Sequence, residues 1–322
     1  MQSIEQLQNK VVELFNNLQI DRNPENLYQP IDYAMSQGGK RLRPLMVLIG
    51  NQLFDGRIED AMPAALGIEI FHNFTLLHDD IMDNAPIRRG FPTVFKKYGP
   101  NTAILSGDTM FVIAYEHICK SHPDILIDIL HLFNKTAREV CEGQQLDMDF
   151  EQRTIVGIEE YIDMIRLKTA VLIAGSLEAG AIAAKAPLAD RKKLYEYGIN
   201  LGISFQLMDD LLDTFGDEKV FGKKTGNDIV TNKKTFLYIK AYEKADAATK
   251  IELDLAFNLT NPEQKVSRVL ELFNQLNIKP ETEFMIEQYK NMADNFLNAL
   301  QLNPLKRSML EEITTKLTNR KV

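Results

Sequence analysis

Apolar residues recur every three or four positions along almost the whole chain, the period of a helix with one buried face. Ile4, Leu7, Val11, Leu14 and Leu18 follow it at the amino end, with Ser3 placed to cap the first turn. PLMVLIGNQLF (44–54) opens on a proline, which a first helical turn tolerates. The same period predicts helices over about 63–83, 102–120, 124–150, 158–185, 189–214, 233–246, 248–259, 263–276, 281–301 and 304–319. No run alternates with period two, and no hairpin dipeptide joins two such runs. The pattern predicts an all-α fold.

Breakers between these runs are brief: Gly38-Gly39, Gly90 to Pro92, Pro100, Pro123, Pro187, Pro262, Pro280 and Pro304. None sits in a long flexible or charged linker, so residues 1–322 read as one domain. The longest irregular stretch, FGDEKVFGKKTGND (215–228), reads as a mobile loop of the kind that closes over a site. The most apolar stretch, VLIAGSLEAGAIAA (171–184), carries Glu178 at its middle and falls short of a membrane span. It predicts a buried helix, and the chain is expected not to span a membrane.

Composition narrows the partners. The chain has 322 residues, a net charge of −8 and no dominant basic stripe, which argues against a nucleic-acid partner. Cys119 and Cys141 each stand alone, without metal-ligand spacing or a disulfide framework, which fits a reducing cytoplasm. The opening MQSIEQLQNKVVELF lacks the basic and apolar regions of a secretory signal. In an acidic protein, local clusters of Lys and Arg become informative.

The first such cluster follows a run of acid. HDDIMDNAPIRRG (78–90) places Asp79, Asp80 and Asp83 within an arc of about 100° on a helix, with Arg88 and Arg89 just beyond. FQLMDDLLD (205–213) repeats the spacing at Asp209, Asp210 and Asp213. A lone DDxxD is more often a solvated helix face. Here both copies lie on strongly apolar helices, and buried carboxylates must be paired or bound to metal. With oxygen ligands alone, Mg²⁺ is the natural cation, held by one or two carboxylates together with substrate phosphates. Two facing clusters would hold a bridged diphosphate.

GGKRLRP (38–44) adds Lys40, Arg41 and Arg43, and Lys168, Lys223 and Lys233 lie in or near further motifs. Each alone is more often a surface charge. Together they point to a second anion, bound directly, because paired arginines grip phosphate oxygens with fixed fork geometry. Beneath the clusters lie His72, Thr75 and Leu76 on one helix and Phe205 and Gln206 on the other. That lining suits a hydrocarbon tail below a charged head. No Ser–His–Asp arrangement, zinc spacing or glycine-rich nucleotide loop competes.

HDDIMDNAPIRRG, FQLMDDLLD and GGKRLRP, with GQQLD (143–147), LKT (167–169) and GKKTGNDI (222–229), resemble the ordered motifs of trans-prenyl diphosphate synthases, the polyprenyl synthetase family. The resemblance runs from about residue 35 to 240. It implies antiparallel helices around one deep central cavity, usually in a homodimer. It implies that Asp79, Asp80, Asp83, Asp209 and Asp210, with Asp213 behind them, bind three Mg²⁺ ions bridging an allylic diphosphate. Arg88, Lys168 and Lys233 would touch that diphosphate, while Lys40, Arg43, His72 and Arg89 would hold isopentenyl diphosphate. Thr169 and Gln206 would present oxygens near the reacting carbons, Lys223 would belong to a closing loop, and Gln144 and Asp147 would support by hydrogen bonds.

The implied reaction is ionisation, condensation and elimination. Phe74, five residues before the first acidic motif, and Thr75 beside it would limit product length, favouring C20 geranylgeranyl diphosphate, with C15 farnesyl diphosphate the alternative. The helical wheel places Thr75 on the carboxylate face and Phe74 more than about 100° away, so Phe74 also fits as core. One departure is NKKT (232–235), where the family usually has GKxT, and Arg320 and Lys321 form only a generic basic tail. Three rivals are weaker. A di-iron carboxylate bundle needs a second ExxH beside Glu69–His72. A class I terpene cyclase has no need of Lys40, Arg43 and Arg89. An inactive regulatory subunit would be expected to have lost acidic residues that are intact here.

Overall fold

The computed structural model describes residues 2–20, 22–216 and 225–318. The chain is helical almost throughout. In order it forms α1 (Ile4–Asn16), α2 (Glu25–Ser36), α3 (Leu42–Leu53), α4 (Ile58–Met82), β1 (Ile87–Arg88), β2 (Phe91–Pro92), α5 (Val94–Tyr98), α6 (Pro100–Ile118) and α7 (Pro123–Gln152). There follow α8 (Ile158–Ile165), a wide π-helical turn (Arg166–Ala170), α9 (Val171–Ala183) and α10 (Leu188–Phe215). The described carboxyl-terminal elements are α11 (Asn227–Val230), α12 (Phe236–Lys244), α13 (Ala247–Phe257), α14 (Pro262–Gln275), α15 (Ile278–Asn298) and α16 (Pro304–Thr318).

Local chemistry explains the boundaries. Ser3 and Gln6 form a reciprocal capping box at the start of α1. Pro100, Pro123, Pro262 and Pro304 each stand at the first position of a helix, where the missing N–H costs nothing, so the breaks are abrupt. Pro30 and Pro63 instead lie inside α2 and α4. The apolar period gave no helix over 25–36 and started α4 only at Pro63; both proline positions read as interruptions that the packed helices absorb. The π turn divides what the period predicted as one helix over 158–185.

The chain divides into two compact units, Met1–Ala137 with Gly175–Tyr195, and Arg138–Ala174 with Glu196–Val322. In the first, α3 is buried from Pro44 to Leu53 on every face. It packs against α1 and α4, and α4 packs against α6. In the second, α12 and α14 pack on α15, and α16 packs on α15 as well. There Tyr197 is fully buried and shares a 2.6 Å hydrogen bond with Thr314 Oγ1. Among the described residues no helix is long and apolar enough to cross a membrane.

Candidate active site

Helix α4 carries the first acidic motif at its end. Asp80 is 3% exposed, Asp79 is half-buried and Asp83 is exposed as the C-cap. Arg88 Nε donates to Asp80 Oδ1 at 2.7 Å. Burial pushes the Asp80 carboxyl up, and the Arg88 guanidinium pulls it back.

The arginine comes from a two-residue hairpin, the one departure from a wholly helical pattern among the described residues. Ile87 pairs with Pro92 and Arg88 with Phe91. The two turn residues both take the left-handed conformation, with φ of 53° at Arg89 and 83° at Gly90. Positive φ at both central positions marks the mirror-image turn whose twist matches a tight hairpin. Glycine adopts it freely, whereas Arg89 costs about 1 kcal/mol or more there. The turn sends neighbouring side chains to different partners. Arg88 reaches Asp80, and Arg89 donates to the Gly38 carbonyl.

The arginines of GGKRLRP divide in the same way. Arg41, with φ of 44°, donates to Glu69 Oε1 at 2.9 Å and to the Met35 carbonyl at 2.5 Å, and stacks over Phe15. Arg43 Nη1 lies 2.9 Å from His72 Nε2. A guanidinium only donates, so Nε2 accepts and the imidazole proton sits on Nδ1. Burial, then Arg43, Arg89, Arg88 and Arg41 in turn, hold His72 well below its usual range and therefore neutral. Burial also pulls the Arg43 guanidinium down to about 10, against the pull of Glu69. Its Nε is buried without a hydrogen-bond partner. Lys40 is exposed. Glu69 and His72, the ExxH pair, are thus engaged by different arginines.

Thr75 donates to the His72 carbonyl at 2.8 Å. Phe74 is half-buried in an aromatic cluster, stacked on Phe111 with ring centroids 5.2 Å apart and edge-on to His78 at 4.7 Å.

In the second unit, α10 presents Gln206, Asp209, Asp210 and Asp213. Asp210 is 5% exposed, and Asp209 and Asp213 are half-buried. Gln206 Nε2 donates to Asp210 Oδ1 at 3.0 Å, and the Tyr161 hydroxyl donates to Oδ2. Thr169 Oγ1 donates to Gln206 Oε1 at 3.0 Å. Lys168, its neighbour on the π turn, donates to Asp147 Oδ2 of α7. Such wide turns recur at functional sites. Here the turn approaches α7 closely: a Cβ at Gly143 would lie 2.3 Å from the Lys168 amide nitrogen, so only glycine fits. The glycine of GQQLD therefore sets the distance at which Asp147 meets Lys168.

Beyond α10, Asp213 Oδ2 accepts the Asp228 amide at 2.9 Å. Burial first, then the charges of Asp213, Asp209 and Asp147, push Asp228 up to about 7, with Lys233 opposing them. Burial and Asp228 raise Asp210 well above the usual range. Asn232 takes φ of 59°, which asparagine tolerates better than most, so NKKT keeps the backbone that a glycine would allow. Lys233 is half-buried. Lys234 caps the end of α7, donating to the carbonyls of Phe150 at 2.8 Å and Arg153. Lys223 lies outside the described residues, as do Arg320 and Lys321.

Three partners escaped the motif reading. Tyr161 is separated by 49 residues from the carboxylate it holds. Asp228 stood within a quoted motif without a role, and Glu69 was weighed only as half of an ExxH. Among the described residues no three His, Cys, Asp or Glu side chains converge into a ready-made metal cage.

Residues 24–276 match the family model described as polyprenyl synthetase. A geranylgeranyl diphosphate synthase of Methanosarcina mazei is 43% identical over 223 residues, covering 69% of each chain. A crystal structure of a geranylgeranyl pyrophosphate synthase superposes with a TM-score of 0.94 at 41% identity, covering 100% of both chains. A geranylgeranyl pyrophosphate synthase from Corynebacterium glutamicum, complexed with isoprenyl diphosphate and magnesium, superposes at 0.87 with 27% identity, covering 99% of this chain and 98% of that one.

Proposed function

The chain belongs to the polyprenyl synthetase family, and we propose that it condenses isopentenyl diphosphate head to tail with an allylic diphosphate to make all-trans geranylgeranyl diphosphate. It is a prenyltransferase. The observation that carries the reading is the pair of embedded acidic motifs, whose deepest members Asp80 and Asp210 are 3% and 5% exposed.

The aspartates of both motifs offer only hard oxygen donors, which fits magnesium. Asp79, Asp80, Asp83, Asp209 and Asp210 would hold it, with Asp213 behind them. Magnesium completes its shell with substrate phosphates more readily than with all-protein cages, which suits carboxylates that do not converge on their own. When bound, it neutralises charge developing on the leaving diphosphate. Arg88, Lys168 and Lys233 add fixed positive charge to the same oxygens, and such preorganised charge is the main catalytic device. The count of three ions rests on the resemblance to the family.

Arg43, His72 and Arg89, with Lys40, hold the diphosphate of isopentenyl diphosphate. The unpartnered, buried Nε of Arg43 supports this, because an anion would supply the missing acceptor. His72 stays neutral and serves as a hydrogen-bonding partner of Arg43. Thr169 and Gln206 set oxygens beside the reacting carbons. The family match runs through both compact units, which supports their working as one domain. Leu105 and Val112, 60% and 59% exposed one heptad apart on α6, support a homodimer. A cytoplasmic setting accords with cysteines that form no disulfide.

The purified chain, given Mg²⁺, isopentenyl diphosphate and each allylic primer in turn, is expected to release diphosphate and a C20 chain. Chromatography of the dephosphorylated product reads the length. A C15 product would select the farnesyl alternative, a cyclic hydrocarbon formed without isopentenyl diphosphate would select a terpene cyclase, and no product would overturn the assignment.

A further inference from the structure

The second acidic motif is held by a group that none of the roles above employs. Tyr161 is 2% exposed on α8, and its hydroxyl donates to Asp210 Oδ2. Gln206 donates to Oδ1 of the same carboxylate at 3.0 Å. A carboxylate turns about a broad, two-fold torsion, so one anchored oxygen leaves the other free to swing. Two donors from two elements remove that freedom and fix the carboxylate plane.

We infer that Tyr161 is a positioning residue for the second acidic motif, its hydroxyl setting the plane in which Asp210 would present its remaining lone pairs to the cation that binds the diphosphate. The inference rests on the reading of that motif as the cation-binding part of a prenyltransferase site. Each carboxylate oxygen accepts more than one hydrogen bond, so anchoring leaves room for a cation. Burial and the Asp210 charge push the phenol well above its usual range, which keeps it a donor.

The position of Tyr161 in the chain extends its effect. It stands on the helix that runs directly into the π turn bearing Lys168 and Thr169. Thr169 is tied to Gln206, and Gln206 to Asp210, so the turn meets this carboxylate from both ends of one closed circuit. Loss of the hydroxyl should loosen the metal side of the reaction and leave the Arg43–His72 pair, which lies in no part of the circuit, undisturbed.

Tyr161→Phe keeps the ring in its buried slot and deletes only the donor. A hydrogen bond to a charged group is worth about a tenfold change or more. The Mg²⁺ concentration for half-maximal rate should therefore rise about tenfold, with kcat falling and KM for isopentenyl diphosphate unchanged within about twofold. A second measurement covers a variant that melts too low to assay. With 3-fluorotyrosine at position 161 of the full chain, the ¹⁹F resonance should move when Mg²⁺ and inorganic diphosphate are added together. An unchanged Mg²⁺ dependence, an equal rise in both substrate KM values, or a ¹⁹F signal indifferent to Mg²⁺ and diphosphate would overturn the inference. A wild-type chain that makes no prenyl diphosphate would overturn the functional reading and this inference with it. An active wild type beside an indifferent Tyr161→Phe would overturn this inference alone.

Discussion

Arg41 and Glu69 form a buried ion pair, 2.9 Å apart with side chains 12% and 2% exposed. The pair joins the loop before α3 to the middle of α4. Asn73 completes it, donating to Glu69 Oε1 at 3.3 Å and to the Glu69 carbonyl at 2.8 Å. Glu69→Ala should cost about 3–5 kcal/mol, because it leaves the Arg41 charge buried without its partner. Urea denaturation measures it. Replacing both residues with apolar ones of similar volume should cost much less, and equal losses in the two experiments would mean that the pair is not what holds the loop.

Asp80→Ala and Asp209→Ala should each lower turnover by about 10²-fold or more, the scale for losing a preorganised charge contact. Steady-state rates at saturating substrates provide the check. Near-normal turnover in either variant would remove that aspartate from the site.

Phe74→Ala should lengthen the product beyond C20. The ring is stacked on Phe111, so the space opened ends at a second aromatic and the gain should be limited to one or two isoprene units. Product chromatography decides, and an unchanged chain length would make Phe74 core alone.

Lys234→Met keeps the aliphatic stem and deletes the cap on α7. Losing a cation at a helix carboxyl end, with its hydrogen bonds to backbone carbonyls, should cost about 1–2 kcal/mol. Lys234→Arg should recover part of it in the same denaturation series. The methionine variant should also raise KM for the allylic diphosphate, because Lys233 sits on the same turn.

Glu178 yields a pH-dependent prediction. Burial pushes its carboxyl up to about 6, against the pull of Lys135 and Arg191, while Asp128 adds to the rise. In the unfolded chain it titrates near about 4.3, so its ionisation costs the folded state nothing below that pH and the full amount above about 6. Glu178→Gln should therefore stabilise the protein by up to about 2 kcal/mol at pH 8 and change little near pH 4. Melting curves at the two pH values test it, and equal shifts at both would point to packing instead of charge.

The acidic motifs were legible because three carboxylates at helical spacing on an apolar helix leave few other readings, and the all-α class was legible because the apolar period persists nearly end to end. Helix α2 was not, because Pro30 interrupts the pattern at its centre. The hairpin escaped because arginine is an unusual occupant of a left-handed turn position. Tyr161 reads as one more apolar residue of an amphipathic helix, and only its hydroxyl, paired 49 residues away, distinguishes it. Spacing reveals groups that share one helix face; it carries no trace of a partner supplied by another helix.

At the tip of residues 87–92, one arginine grips the first acidic motif while its immediate neighbour grips the Gly38 carbonyl. The turn is in effect a yoke, since a single peptide unit joins the two arginines. A displacement of the turn would act on both contacts at once. Lengthening that tip by one residue should uncouple the Asp80 contact from the Gly38 contact while leaving every charged group in the chain intact.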